Sequence, residues 1–168
     1  LALVACDLLV VPFTGDDSSR RAIENVVALL YGLGGKDVAA YARISFSKRA
    51  REERVQIPVL HTFVSNRVTF YEGKASKAFK AVSKTIKDTM DDIYAKRRTI
   101  FANTSKRPSK TFVEIPDYHS ACIVAAVTGT PLHALKPGPR VVAGERVQLN
   151  AVPLSNYKKA LGSLVSRL

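Results

Sequence analysis

The densest chemistry in this sequence is cationic. Between Lys74 and Lys110 there are eleven Lys and Arg against three Asp, a net of +8 within a chain total of +12. Lys77, Lys80, Lys84 and Lys87 recur at steps of three and four, so a helix would carry all four on one face. A row of ammonium groups attracts phosphates and releases their counterions. That gives salt-sensitive binding without sequence preference. A solvated helix face that serves only solubility has the same pattern, and both readings stand at this stage.

Other reactive groups are sparse. His61, His119 and His133 and the two cysteines are scattered without metal-ligand spacing, which argues against a zinc site. Cys6 and Cys122 sit in apolar runs and read as small core residues. No nucleophile–base pair stands out. A P-loop needs Gly, four residues, then Gly-Lys-Ser/Thr after a strand, so that backbone N–H groups cradle phosphates. Gly34-Gly35-Lys36-Asp37 follows a helical pattern, lacks the hydroxyl residue and has Leu30 at the first Gly position. Gly73-Lys74-Ala75 fails likewise, with Val68 there. Both read as turns or caps.

The elements that position these residues alternate. Asp7–Phe13 is an apolar run of strand length without alternation, the mark of a strand covered on both faces. A cluster of cap residues follows, where Asp16, Asp17 or Ser18 would accept the orphan N–H groups of a helix running to about Leu33. Gly32, Gly34 and Gly35 end that helix. Residues 37–54 dissolve into a solvated charged stretch. Ile57–Val64 is a second buried-type strand, ending in the polar tip Ser65-Asn66-Arg67. Strand, helix, strand at this spacing is a βαβ pattern.

Residues 75–96 have the strongest periodicity, with Ala75, Phe79, Val82, Ile86, Met90 and Ile93 on one helix face opposite the lysines. Residues 102–110 form a polar loop, 111–115 a short strand, and 118–127 a short apolar helix broken by Thr128-Gly129-Thr130-Pro131. Residues 132–151 contain Lys136-Pro137-Gly138-Pro139 and read as an irregular excursion. A last helix starts near Pro153, with Leu154, Tyr157, Leu161, Leu164 and Leu168 on one stripe.

With 168 residues and 46% apolar composition, the chain is sized for one domain with a real core. Two cysteines exclude a disulfide scaffold and fit a reducing compartment. No apolar run reaches the roughly 18 residues of a membrane span. The chain opens on Leu1 and is apolar at once, without the basic start of a signal peptide, so it is expected to begin inside a domain.

Four stretches acquire meaning together. They are Cys6–Pro12 followed by Asp16–Ile23; Thr62-Phe63-Val64-Ser65-Asn66-Arg67; Ile115-Pro116-Asp117 with Gly129-Thr130-Pro131-Leu132; and Tyr157–Leu161 running on to Leu168. In order and spacing they resemble the later part of ParA-type partition ATPases, within the ParA/MinD group of deviant Walker A proteins. The resemblance covers nearly the whole chain. It implies an α/β fold: part of a three-layer P-loop NTPase-like domain, with a mostly parallel sheet covered by helices and residues 1–168 forming its C-terminal portion. The family's phosphate loop, switch I acid and switch II Asp would lie upstream of Leu1, and Leu1–Ala5 would end the helix after switch II. Residues 36–56 and 133–151 look like insertions relative to short family members.

The resemblance also implies roles. ATP would sit on the carboxyl side of the sheet between two subunits of a homodimer, with Mg2+ held by ligands in the upstream part. Asn66 would hydrogen-bond the adenine, with Arg67 a further contact and Pro116 and Asp117 flanking the base. The ATP-bound dimer would bind DNA non-specifically and be released when a centromere-binding partner protein stimulates hydrolysis. Lys158, Lys159 and Arg167, then Lys77, Lys80 and Lys84, would face DNA. The chain alone would not hydrolyse ATP. It would be cytoplasmic, associated with the nucleoid and without stable membrane insertion. Two alternatives remain open: a relative that positions another cargo or a membrane-bound division regulator, and a non-enzymatic basic nucleic-acid-binding module.

Overall fold

The structure, a computed structural model, describes residues 5–33, 46–71 and 74–168. Its central feature is a three-stranded parallel sheet built from β1 (Leu8–Phe13), β2 (Val59–Val68) and β5 (Val113–Pro116), in the order β1-β2-β5. Leu8 pairs with Val59 and Phe13 with Ser65 across the first ladder; Val64 pairs with Val113 and Val68 with Pro116 across the second. Parallel strands need crossovers, which are helical here. The chain is therefore a mixed α/β protein with helices packed on a parallel sheet, as the βαβ pattern predicts.

Helix α1 (Asp17–Tyr31) follows β1. Of the three cap candidates, Asp16 takes the position: its backbone is extended and its side chain accepts the Ser19 N–H. Gly32 closes the helix at φ 69°, a left-handed conformation that costs glycine little. Helix α2 (Phe46–Glu52) corrects the expectation of a solvated stretch, since the described part of that segment is helical. It is anchored by Ser47 and Ala50, both buried, while its charges form the exposed pairs Lys48–Glu52 and Arg49–Glu53. The Gly34–Asp37 turn lies outside the described residues, as do residues 1–4, part of the expected helix end.

Strand β2 runs on to Val68, so Ser65, Asn66 and Arg67 belong to the strand rather than to a tip beyond it. Two residue pairs, β3 (Phe70–Tyr71) and β4 (Lys74–Ala75), form a small antiparallel ribbon around Gly73, which is itself outside the described residues. Ala75 is thus in a strand, and helix α3 (Lys77–Lys96) starts behind the Ser76 cap, whose Oγ accepts the Phe79 N–H. The apolar stripe of α3 buries Ile86, Met90 and Ile93 against α1 and one face of the sheet. At the centre of this cluster Phe63 is 1% exposed and stacks on Phe112, with ring centroids 5.2 Å apart.

The other sheet face presents Val64, Val113 and Ile115, which pack with Tyr157 of α5 (Ala151–Val165). Between β5 and α5 lie α4 (His119–Thr128), closed by Gly129 at φ 63°, and an antiparallel hairpin of β6 (Gly138–Val142) and β7 (Glu145–Leu149). The hairpin corrects the expected irregular excursion. Ala143 and Gly144 form its two-residue loop with φ of 50° and 85°, so both central residues have the positive φ of a type I′ turn. Val142 and Leu149 face inward, in a small core with Ala121, Val124, Leu135 and Leu154. The terminal stripe fades along α5: Leu154 and Tyr157 are buried, but Leu168 is 65% exposed. Cys122 is exposed rather than core, with its Sγ 3.4 Å from the Tyr157 hydroxyl, whereas Cys6 is half-buried. Burial and this thiol push the Tyr157 hydroxyl up to about 12.

Candidate functional site

In an open parallel sheet, ligands bind where the strands end at their carboxyl edge, because the loops there are free to vary over a rigid scaffold. That edge gathers all four residues expected at a base: Asn66 and Arg67 near the end of β2, Pro116 at the end of β5, and Asp117 directly after it. The ladder does the gathering. Val68 pairs with Pro116, and the Asp117 N–H donates to the Val68 carbonyl at 2.9 Å.

The side chains are exposed and lightly held. Arg67 Nε lies 3.8 Å from an Asp117 carboxylate oxygen, with the two side chains 64% and 35% exposed. A pair this open to water stabilises the fold little, so it can be exchanged for a ligand. Asn66 Oδ1 accepts the Arg67 N–H at 3.0 Å, which leaves one lone pair and the amide N–H groups for a partner. Arg67 itself has φ 57°, a region that L side chains rarely adopt and that recurs at functional sites. Ser65, next in the strand, is fully buried, and its Oγ has no hydrogen-bond partner among the described residues.

The β1 end of the same edge is a hydroxyl–carboxylate knot. Asp16 accepts from Ser18 Oγ at 2.5 Å, from the Ser19 N–H at 2.7 Å and from Thr14 Oγ1. The Ser18 and Thr14 hydroxyls and the Ser19 N–H hold the Asp16 carboxyl far below the usual carboxylate range. Gly15 is required by a close approach: a Cβ there would stand 2.5 Å from Cδ2 of Phe79 on α3. Phe79 thus packs down on the β1–α1 turn.

The lysine row of α3 divides in space. Lys77 and Lys80 are exposed in its first turns, which contain no acid, so they add to the positive end of the helix dipole. Lys84 pairs with Asp88, the first acid beyond the row, at 3.4 Å. Lys87 pairs with Glu114 of β5 at 3.4 Å and lies 5.5 Å over the Phe112 ring. The α5 cations divide as well. Lys158 is half-buried and donates to the Leu135 carbonyl at 2.5 Å, and Arg167 donates to the Thr111 carbonyl. Lys159 is exposed, without an ion pair among the described residues.

Sequence reasoning missed Thr14, Ser19, Ser65 and Ser83; hydroxyls inside apolar or capping runs carry no signal of their own. Among the described residues no three His, Cys, Asp or Glu side chains cluster as metal ligands, and no helix is long and apolar enough to cross a membrane. Comparison of the chain with family models, with curated proteins and with solved structures finds no match.

Proposed function

We propose that this chain is the nucleotide-rim and C-terminal portion of a ParA-type partition ATPase, acting in ATP-dependent partitioning of plasmid or chromosomal DNA. The observation that carries the reading is the convergence of Asn66, Arg67, Pro116 and Asp117 on one carboxyl edge of a parallel sheet. In this reading the sheet is part of a three-layer P-loop NTPase-like domain. Support comes from β1, an edge strand among the described residues. An apolar groove of about 300 Å³ runs beside it, between Leu9–Phe13 and the Ile23 and Val26 face of α1. A further parallel strand carrying the phosphate loop would pair with that edge.

In the proposed mechanism the Asn66 amide reads the adenine as both donor and acceptor, with Pro116 and Asp117 flanking the base. Arg67 leaves Asp117 for the nucleotide. ATP would be shared by two subunits, with its Mg2+ held by residues upstream of this chain, and the homodimer would lay Lys77, Lys80 and Lys159 against DNA phosphates. Lys84 joins them at the small cost of its exposed pair with Asp88. Lys158 and Arg167 hold carbonyls and contribute charge from a fixed position. A centromere-binding partner stimulates hydrolysis and releases the DNA.

The test is fluorescence anisotropy of labelled duplex DNA against salt, with ATP or ADP, in the protein that includes the upstream phosphate loop this reading requires. ATP is expected to tighten DNA binding, and Asn66→Ala to abolish that response while leaving a salt-sensitive remainder. Lys80→Glu, present in both subunits of the dimer, should lower the log–log salt slope by about 2. DNA affinity that is indifferent to ATP and unchanged in Asn66→Ala would overturn the ATPase reading in favour of a basic nucleic-acid-binding module.

A further inference from the structure

We infer that the recess between α3 and the 107–110 turn is a binding site for a phosphomonoester carrying an apolar or aromatic group. The recess is a groove open to solvent, of about 700 Å³, within the size range of small-molecule sites. It lies on the α3 side of β5, and the inference does not depend on the nucleotide reading of the sheet edge.

The charges in its lining are sorted. Among the described residues three acids line it, and each is already engaged: Asp88 with Lys84, Glu114 with Lys87, and Asp91 with the Ser109 N–H and Oγ at 3.0 and 2.6 Å. Three further cations line it without an ion pair among the described residues: Lys80, Arg107 and Lys110. The recess therefore offers unspent positive charge from two elements that face each other. The Asp91–Ser109 bonds clamp the turn to the helix and fix that spacing.

An independent observation points to a ligand. Ser83 lines the recess and is 3% exposed, yet its Oγ has no hydrogen-bond partner among the described residues. A serine inside a helix ordinarily bonds the carbonyl four residues back, and a buried hydroxyl left without a partner is destabilising. The Oγ itself is closed to solvent, so a phosphate oxygen entering between Lys80 and Arg107 reaches it by shifting the side chains over it, and then supplies the missing acceptor. Phe70 and Phe79 supply apolar wall, and Phe79 is backed by Gly15 at a distance that leaves no room for a Cβ. A phosphate ester with an apolar group uses both halves of the recess; free phosphate uses one.

The experiment is isothermal titration of the chain with phenyl phosphate, inorganic phosphate and phenol, and with 15N-labelled chain to follow the Ser83 and Lys110 amides. Saturable one-to-one binding of phenyl phosphate is expected, tighter than inorganic phosphate, with phenol silent and both amides shifting. Lys80→Gln combined with Arg107→Gln should weaken it about tenfold, as loss of two solvent-exposed ionic contacts does. Ser83→Ala should weaken it several-fold without loss of folded signal, and Lys96→Gln should leave it unchanged. Absence of saturable binding, an equal effect of Lys96→Gln, or indifference to Ser83→Ala would each overturn the proposal. Duplex DNA binding that depends on Lys80 and Arg107, with no heat from phenyl phosphate, would also overturn it and assign these cations to a polynucleotide.

Discussion

Asp16 is the best place to perturb the loop that joins the sheet to α1. Its carboxylate takes the Ser19 N–H as helix cap and the Thr14, Ser18 and Ser19 hydroxyls around it. Asp16→Ala removes every one of those acceptors. Capping loss costs about 1 kcal/mol, and the charged acceptor raises that to about 1–2 kcal/mol. In a chain of this size the change lowers Tm by roughly 2–8 °C at neutral pH, read by circular dichroism. The pH dependence follows from the sign of the shift. The folded carboxyl is held below its ordinary value, so its contribution is complete above the unfolded pKa of about 3.9 and is lost as pH falls towards the depressed folded value. The gap between wild type and Asp16→Ala should therefore shrink between pH 6 and pH 3 in urea melts. Asp16→Asn keeps one acceptor oxygen at the cap but loses the charge and the second oxygen, so it should lie between wild type and Asp16→Ala at pH 6 while losing the acid dependence. A gap of equal size at both pH values, or an Asn variant as stable as wild type at pH 6, would refute the assignment of the carboxylate as the organising acceptor.

Three other perturbations test the packing behind the site. Tyr31→Phe should cost about 1–2 kcal/mol in urea unfolding, because the buried hydroxyl donates to the Pro58 carbonyl at 2.6 Å and its loss orphans that carbonyl. Burial raises the Tyr31 pKa, so wild-type stability should fall as pH rises past the unfolded tyrosine value of about 10, and Tyr31→Phe should lose part of that fall. Phe63→Ala should cost about 3–5 kcal/mol, since the ring is 1% exposed and stacked on Phe112. Gly32→Ala should cost about 1 kcal/mol, because φ is 69° and the new Cβ would meet Ser47 Oγ at 3.0 Å; a neutral result by thermal melt would mean that the helix end relaxes freely.

Legibility in the sequence tracked how local each cause is. Helix α3 is readable because its apolar stripe and its Ser76 cap lie within one run of residues. Strand β1 is readable because six consecutive residues, Leu8–Phe13, need no partner to announce a strand. Helix α2 is not, because its buried anchors are a serine and an alanine, which carry no hydrophobic signal. The hairpin hides behind Ala143, which occupies a left-handed position where Asn, Asp or Gly is the usual mark, and behind a Pro-Gly-Pro run that reads as a break. The site depends on something less local. Arg67 and Asp117 are neighbours only because β2 continues to Val68 and pairs there with Pro116, a register that no pattern within either strand specifies.

The lysine row makes the same point about function. In sequence Lys77, Lys80, Lys84 and Lys87 are interchangeable members of one stripe. In the fold Lys84 is drawn to Asp88, one turn away, which the sequence displays. Lys87 is drawn to Glu114, 27 residues away on β5, which it does not. The positive charge left for a phosphate partner is therefore concentrated at the start of α3, on Lys77 and Lys80, beside the Arg107 and Lys110 turn. Counting cations along the chain overstates what is available; subtracting those that the fold has already paired tells which of them an incoming anion meets first.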